Sequence, residues 1–230
     1  MFRFPPPTRL LKILVGGLAA LFVLQAIADN WLAFGVTRFL ALEIGSLSPL
    51  ALLNIATYPL AVFTPSVFAV LIQLFFIWWI IGDYERNMGT ETTALLIGFV
   101  SLFTGAVCFV AGITLPIPAQ YFSGPWPMIS GAIAAMCWRL RGHGTLSLYG
   151  VIPMKAEHLL YGLVGLSLVN YLVTKSLLQL IASLASLGGG ILFTEWTRRG
   201  GGMRIRKRMR RGLRAIDGGR KTKKPERWMN

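Results

Sequence analysis

The chain has 230 residues, 54% of them hydrophobic, a mean hydropathy of +0.60 and a formal net charge of +14. Soluble domains rarely run so apolar, so the composition excludes an ordinary water-soluble domain and makes a bilayer the natural solvent. The charge is confined: residues 198–230 hold 14 of the 23 Lys and Arg and two of the nine acids, which excludes a nucleic-acid-binding surface spread over the whole chain.

Taken in chain order, six apolar segments are predicted to be membrane helices: 11–28, 66–82, 92–115, 127–140, 157–174 and 176–196. Most approach the roughly 20 residues that cross about 30 Å of hydrocarbon. The fourth is too short, covering about 21 Å at about 1.5 Å per residue. Gly124, Pro125 and Pro127 flank its start, and lipid cannot satisfy such irregular backbone, so this helix is expected inside the bundle. Arg3 and Arg9 precede the first segment, and Ala26-Ile27-Ala28 follows its core. A cleaved signal sequence over residues 1–28 therefore stands as an alternative to a retained first helix. The outer loop, 29–65, is too apolar for a solvated linker (Trp31, Leu32, Phe34, Phe39, Leu42 and Leu53 among others), so a half-immersed interfacial structure is expected.

With the N-terminus cytoplasmic, 21 of the 23 basic residues fall on the inner side and only Arg38 and Lys175 outside. That asymmetry predicts six crossings with both termini cytoplasmic; a bacterial inner membrane is the expected location. The expected organisation is an N-terminus at 1–10, a membrane domain at 11–196 and a basic tail at 197–230. Cys108 and Cys137 lie in apolar stretches and suggest neither a disulfide framework nor a metal site; no cofactor is implied.

Three stretches carry a family likeness. Gly82-Asp83-Tyr84-Glu85-Arg86-Asn87-Met88-Gly89 fits G-x-x-E-R-x-x-G at the inner end of the second crossing. Ser130-Gly131-Ala132-Ile133 fits S-G-A-I on the fourth, and Ile152-Pro153-Met154-Lys155-Ala156 fits an inner loop before the fifth. Thr57-Tyr58 adds a T-Y pair before the second crossing. In this order and spacing, over roughly 57–196, the chain resembles the rhomboid superfamily. The resemblance implies an all-α, six-helix membrane bundle around a short central fourth helix. It also implies a serine nucleophile in G-x-S-G on that helix, a histidine base in A-H-x-G-G on the sixth, and His and Asn oxyanion donors on the second.

The match fails where the chemistry happens. Ser130 stands at the nucleophile position, but Met128 replaces the preceding glycine. The sixth-helix motif reads Ala185-Ser186-Leu187-Gly188-Gly189, with Ser186 in place of histidine, and Ala69 and Gln73 stand at the oxyanion positions. The family's outer-loop Trp-Arg pair is absent, with Asn54-Ile55 in that region. A serine hydroxyl is a weak nucleophile without an adjacent base. His143 lies 13 residues beyond Ser130, about 20 Å if helical, and His158 opens the fifth crossing on the other side of the membrane. Lys175 is the one alternative base. No catalytic residue is therefore expected, and the small residues Ser130, Gly131, Ser186, Gly188 and Gly189 read as helix-packing positions. Gly82, Glu85, Arg86 and Gly89 read as a structural motif capping the second helix.

The tail has its own pattern. Ile205, Met209, Leu213 and Ile216 share one helical face, and Arg204, Arg206, Lys207, Arg208, Arg210, Arg211 and Arg214 surround it. This is the composition of an amphipathic helix drawn to anionic lipid. A solvated topology anchor, or contact with RNA or the ribosome, are the alternatives. The functional expectation is a non-proteolytic rhomboid-like protein that binds transmembrane segments of client proteins, a role implied by the family's inactive members. An active intramembrane serine protease using Ser130 stands against it. A small transporter or channel is the third reading, disfavoured because few ionisable residues lie in the apolar segments.

Overall fold

The computed structural model describes residues 8–45, 49–63, 66–115, 117–118, 120–141, 145–148 and 152–200. Helix α1 (Arg9–Asn30) starts at Thr8, whose hydroxyl accepts the Leu11 amide at 3.2 Å. Leu11, Leu18 and Gln25, each seven residues apart, form its buried seam. The Gln25 amide donates to the Leu60 carbonyl at 2.7 Å and accepts the Val62 amide at 3.0 Å, tying α1 to the chain entering the second crossing. Asp29 then caps a short helix, α2 (Val36–Leu40), accepting the amides of Val36 and Thr37.

The second crossing is one continuous helical run, Val67–Met88. It comprises α4 (Val67–Phe76), a π turn over Ile77–Ile81, and α5 (Gly82–Met88). It runs past the expected end at 82, so Glu85 and Arg86 sit on its last helical turn. Gly89, at φ +84°, stops the helix in a conformation that L side chains rarely adopt, and α6 (Thr90–Thr114) begins at once. Helix α7 (Trp126–Arg139) has 14 residues, and most of them are buried, as its length and flanks predicted. Helices α8 (Ala156–Thr174) and α9 (Leu177–Arg198) complete the series. Among the described residues five helical runs are long and apolar enough to cross a membrane, and α7 is the short helix between the third and fourth of them.

The outer loop is more built than a surface layer. Its apolar residues divide in two: Trp31, Phe34, Phe39, Leu52 and Leu53 are exposed, whereas Leu42 and Ile44 are fully buried. Strand β1 (Leu42–Ile44) pairs antiparallel with β2 (Gln120–Phe122), adding a small ladder to a fold expected to be purely helical. Between them α3 (Pro49–Thr57) runs into a 3-10 turn, where Tyr58 donates to the Ser101 carbonyl at 3.1 Å and packs its ring, tilted by 34°, against that of Phe122. The Gly124 amide donates back to the Tyr58 carbonyl, so the irregular entry to α7 is satisfied by the outer loop rather than by lipid. A second ladder, β3 (Thr145–Leu148) with β4 (Ile152–Lys155), precedes α8.

Two apolar clusters hold the bundle. One gathers Ile77, Ile81, Leu96, Val100, Met128, Ile129 and Phe193; the other joins Leu42, Ile44, Tyr58, Cys108, Phe122 and Leu178. The chain divides into two compact units, Met1–Thr194 and Glu195–Asn230. In the second, Glu195 pairs with Arg198 and Arg199. The expected amphipathic helix at 203–216, with its arginines and Lys207, lies outside the described residues, as does His143.

Candidate functional site

Ser130 sits in the second turn of α7 and Ser186 near the middle of α9, and the two hydroxyls meet at 2.8 Å. Both are buried, Ser186 completely. Their other partners are backbone carbonyls: Trp126 and Pro127 for Ser130, and Ser183 for Ser186. Each hydroxyl has one proton to give. Ser130 can donate to Ser186 while Ser186 donates to the Ser183 carbonyl, or Ser186 can donate to Ser130 while Ser130 donates back along α7. Both arrangements leave every proton held and end on a carbonyl oxygen, which does not take up a proton near neutral pH.

The backbones make this contact possible. A Cβ on Gly190 would land on the Gly131 carbonyl oxygen. One on Gly131 would lie 2.5 Å from Val100 and 3.0 Å from the Ser186 carbonyl oxygen. Thr194 adds a cross-helix hydrogen bond to the Ala135 carbonyl at 3.3 Å while also bonding its own helix at Gly190. Small residues at a crossing let membrane helices approach closely, and such interhelical hydrogen bonds are worth about 0.6 kcal/mol each. Gly189 faces the ring of Phe103, whereas Gly188 faces open space. Of these three glycines of α9, then, Gly190 shapes the contact with α7, Gly189 meets α6 through Phe103, and Gly188 meets neither.

The remaining residues at family positions are placed as follows. Met128 is buried in the first apolar cluster, filling volume beside Ile129. Ala69 and Gln73 lie one turn apart on α4, both half-buried, and no hydrogen bond joins Gln73 to Ser130 or Ser186. Lys175 is exposed in a left-handed conformation at the end of α8, and His158 is exposed in the first turn of that helix. Asn54 is buried and donates to the Ala41 carbonyl at 2.8 Å. Cys108 and Cys137 are buried and free. Among the described residues no group of three or more His, Cys, Asp or Glu could hold a metal ion.

At the other end of α7's neighbours, Glu85 is 3% exposed. Its carboxylate accepts the Thr90 hydroxyl at 2.6 Å and, on the other oxygen, the hydroxyl of Thr8. One side chain thus ties the end of the second crossing to the starts of α1 and α6. Neither threonine stood out in the sequence, because Thr8 is 77 residues away and nothing local marks it as a partner. Arg86 is exposed, and Arg139 at the end of α7 reaches the Met88 sulfur.

No family model matches the chain. It is 28% identical, over 181 residues, to Rhomboid-type serine protease 2 of Eremothecium gossypii. The chain is a rhomboid-like membrane protein. The alignment covers 78% of this chain, which spans only 65% of the length of that relative. With its long apolar helices, the rhomboid-like chain is an integral, multi-pass membrane protein. Ser130 and Ser186, the residues expected from the sequence to stand at the nucleophile and base positions, are brought together across α7 and α9, where their hydroxyls bond each other.

Proposed function

We propose that this rhomboid-like protein does not hydrolyse peptide bonds and instead binds transmembrane segments of client proteins, acting in their trafficking, assembly or quality control. The observation that carries the reading is the 2.8 Å hydroxyl pair of Ser130 and Ser186. An attacking serine must lose its proton to a base within about 3.2 Å or through one water. The partners of Ser130 among the described residues are one hydroxyl and two carbonyls, and none of them can take that role. What such a bundle still offers is its apolar outer surface. On α8, Leu166, Leu172 and Val173 are all exposed, and of that helix only Ala156 is buried. In this reading both termini are cytoplasmic in a bacterial inner membrane, the first helix is retained, and the basic tail binds anionic lipid.

The second reading is an intramembrane serine protease with Ser130 as nucleophile, favoured by the name of the relative reported above. The two separate cleanly. Purified protein is expected to take no label from a fluorophosphonate probe and to leave a model transmembrane substrate intact. Labelling that disappears in Ser130→Ala would establish the protease. Ser186→His alone is expected to stay inactive, because Met128 still stands where the family has a glycine and Ala69 still lacks a donor. For the binding half, a photo-crosslinker at Leu172 should capture membrane proteins through their transmembrane segments. Capture of lipid alone would overturn it.

A further inference from the structure

The second crossing is not a uniform rod. Its middle turn, Ile77-Trp78-Trp79-Ile80-Ile81, gathers three isoleucines and two tryptophans, side chains that crowd the preceding turn of an α-helix. The backbone widens there into a π turn. At its entry the Ile77 amide is shared between the Gln73 and Leu74 carbonyls, and at its exit the Gly82 amide between those of Trp78 and Trp79. Shared bonds resist bending less than a regular ladder, and π turns are among the few places where helices kink sharply.

The two halves are held very differently. On the α5 side, Ile81 and Tyr84 are buried in the first apolar cluster with Leu96, Val100 and Ile129. Glu85 is fixed there by the hydroxyls of Thr8 and Thr90. On the α4 side only Val70 is buried, at 4% exposed, whereas Val67, Phe68, Leu71, Ile72 and Phe75 are all exposed. The end of α4 nearest the turn is still held: Leu74 and Phe76 pack against the first cluster, and the Phe76 ring meets Trp126 of α7 edge to face, 6.2 Å between centres. Further out, α4 packs on α1, and Val70 is its one buried side chain. Local stability follows buried contacts, so this outlying part of the helix opens at the lowest cost. Gln73 lies between Val70 and Ile77, at i+3 and i−4, on the same inward face.

We propose that the second crossing is jointed at this π turn. The α5 half stays fixed while α4 swings away from α1, unseating Val70 and uncovering the inward face of the helix. A bend of about 20° over the about 15 Å of α4 moves its far end by about 5 Å. Gln73 brings to that opening a carboxamide that both donates and accepts hydrogen bonds. A client's transmembrane segment enters there from the bilayer. That step rests on the client-binding reading above, whereas the joint does not.

The test measures distances between pairs of spin labels on the full chain in lipid nanodiscs by pulsed electron resonance. Cys108 and Cys137 are buried, so under native conditions the label goes to cysteines introduced at exposed positions. One label replaces Val110 on α6, and the other replaces either Phe68 on α4 or Asn87 on α5, all three exposed. From Asn87 one narrow distance is expected, and from Phe68 two, up to about 5 Å apart. Val70→Ala should raise the share of the swung-out form relative to the packed form by about fivefold, through loss of buried methyl groups. One narrow distance from Phe68, or equal broadening from both positions, would overturn the joint without any further variant having to fold. So would a ratio unchanged by Val70→Ala. An excess of a synthetic transmembrane peptide should raise the swung-out share. An unchanged ratio beside two clear distances would refute client entry at this point and leave the joint standing.

Discussion

Replacing Gly190 with alanine tests whether the contact between α7 and α9 is as close as described. The new methyl group would fall on the Gly131 carbonyl oxygen and 3.2 Å from the Ala135 nitrogen, both backbone atoms that no side-chain rotation can move. The helices must part by about 1 Å to restore ordinary contact. The Ser130–Ser186 bond, now 2.8 Å, and the Thr194–Ala135 bond, now 3.3 Å, then exceed hydrogen-bonding distance. Two interhelical bonds at about 0.6 kcal/mol each, plus about 1–3 kcal/mol for overpacking, are offset by about 1 kcal/mol of helix propensity gained over glycine. The net expectation is a loss of about 1–3 kcal/mol. Gly188→Ala, two residues away on the same helix, meets open space and should be stabilising by about 0.5–1 kcal/mol. Cys108 and Cys137 supply the readout: both are buried and free, so a thiol-reactive fluorogenic dye reports their exposure as the detergent-solubilised protein is heated. Gly190→Ala melting at or above the unaltered protein, or Gly188→Ala falling with it, would refute the close-contact account.

Glu85→Ala should lower stability by about 1.5–3 kcal/mol, because it removes the buried carboxylate that accepts from half-buried Thr8 and from exposed Thr90. Glu85→Gln, which keeps one carbonyl oxygen, should lose about half as much in the same melt. Tyr58 is raised above its usual phenol range by burial. In the window above about pH 10, the unfolded chain has therefore lost a proton that the folded protein keeps. Stability should fall there by up to about 1.4 kcal/mol per pH unit. Tyr58→Phe should flatten that alkaline loss while costing about 1 kcal/mol near neutrality for the bond to the Ser101 carbonyl. An unchanged alkaline slope in that variant would assign the titration to other groups.

Hydropathy by itself determined the membrane helices, because burial in lipid demands long uninterrupted apolar runs and the sequence cannot disguise them. The short, enclosed α7 was equally legible: a run too brief to span, with glycine and prolines at its mouth, has to be covered by protein. That a serine, Ser186, stands where the resemblance implies a base is a matter of residue identity and could be read from the sequence. Its consequence could not. Whether Ser130 faces Ser186, water or another helix depends on how α7 and α9 cross, which is set by backbone approach at Gly131 and Gly190. The outer loop divided in the same way. Its apolar character was visible, but that Leu42 and Ile44 pair with residues 120–122, while Phe34 and Phe39 stay exposed, follows from a contact some 78 residues long in sequence. Glu85 was marked by its motif, yet its partners Thr8 and Thr90 belong to two other helices. Local periodicity records how each segment meets its solvent. Which polar groups meet across the interior is decided only when the helices pack, because in a bilayer a buried hydroxyl or carboxylate must find its partner within the protein.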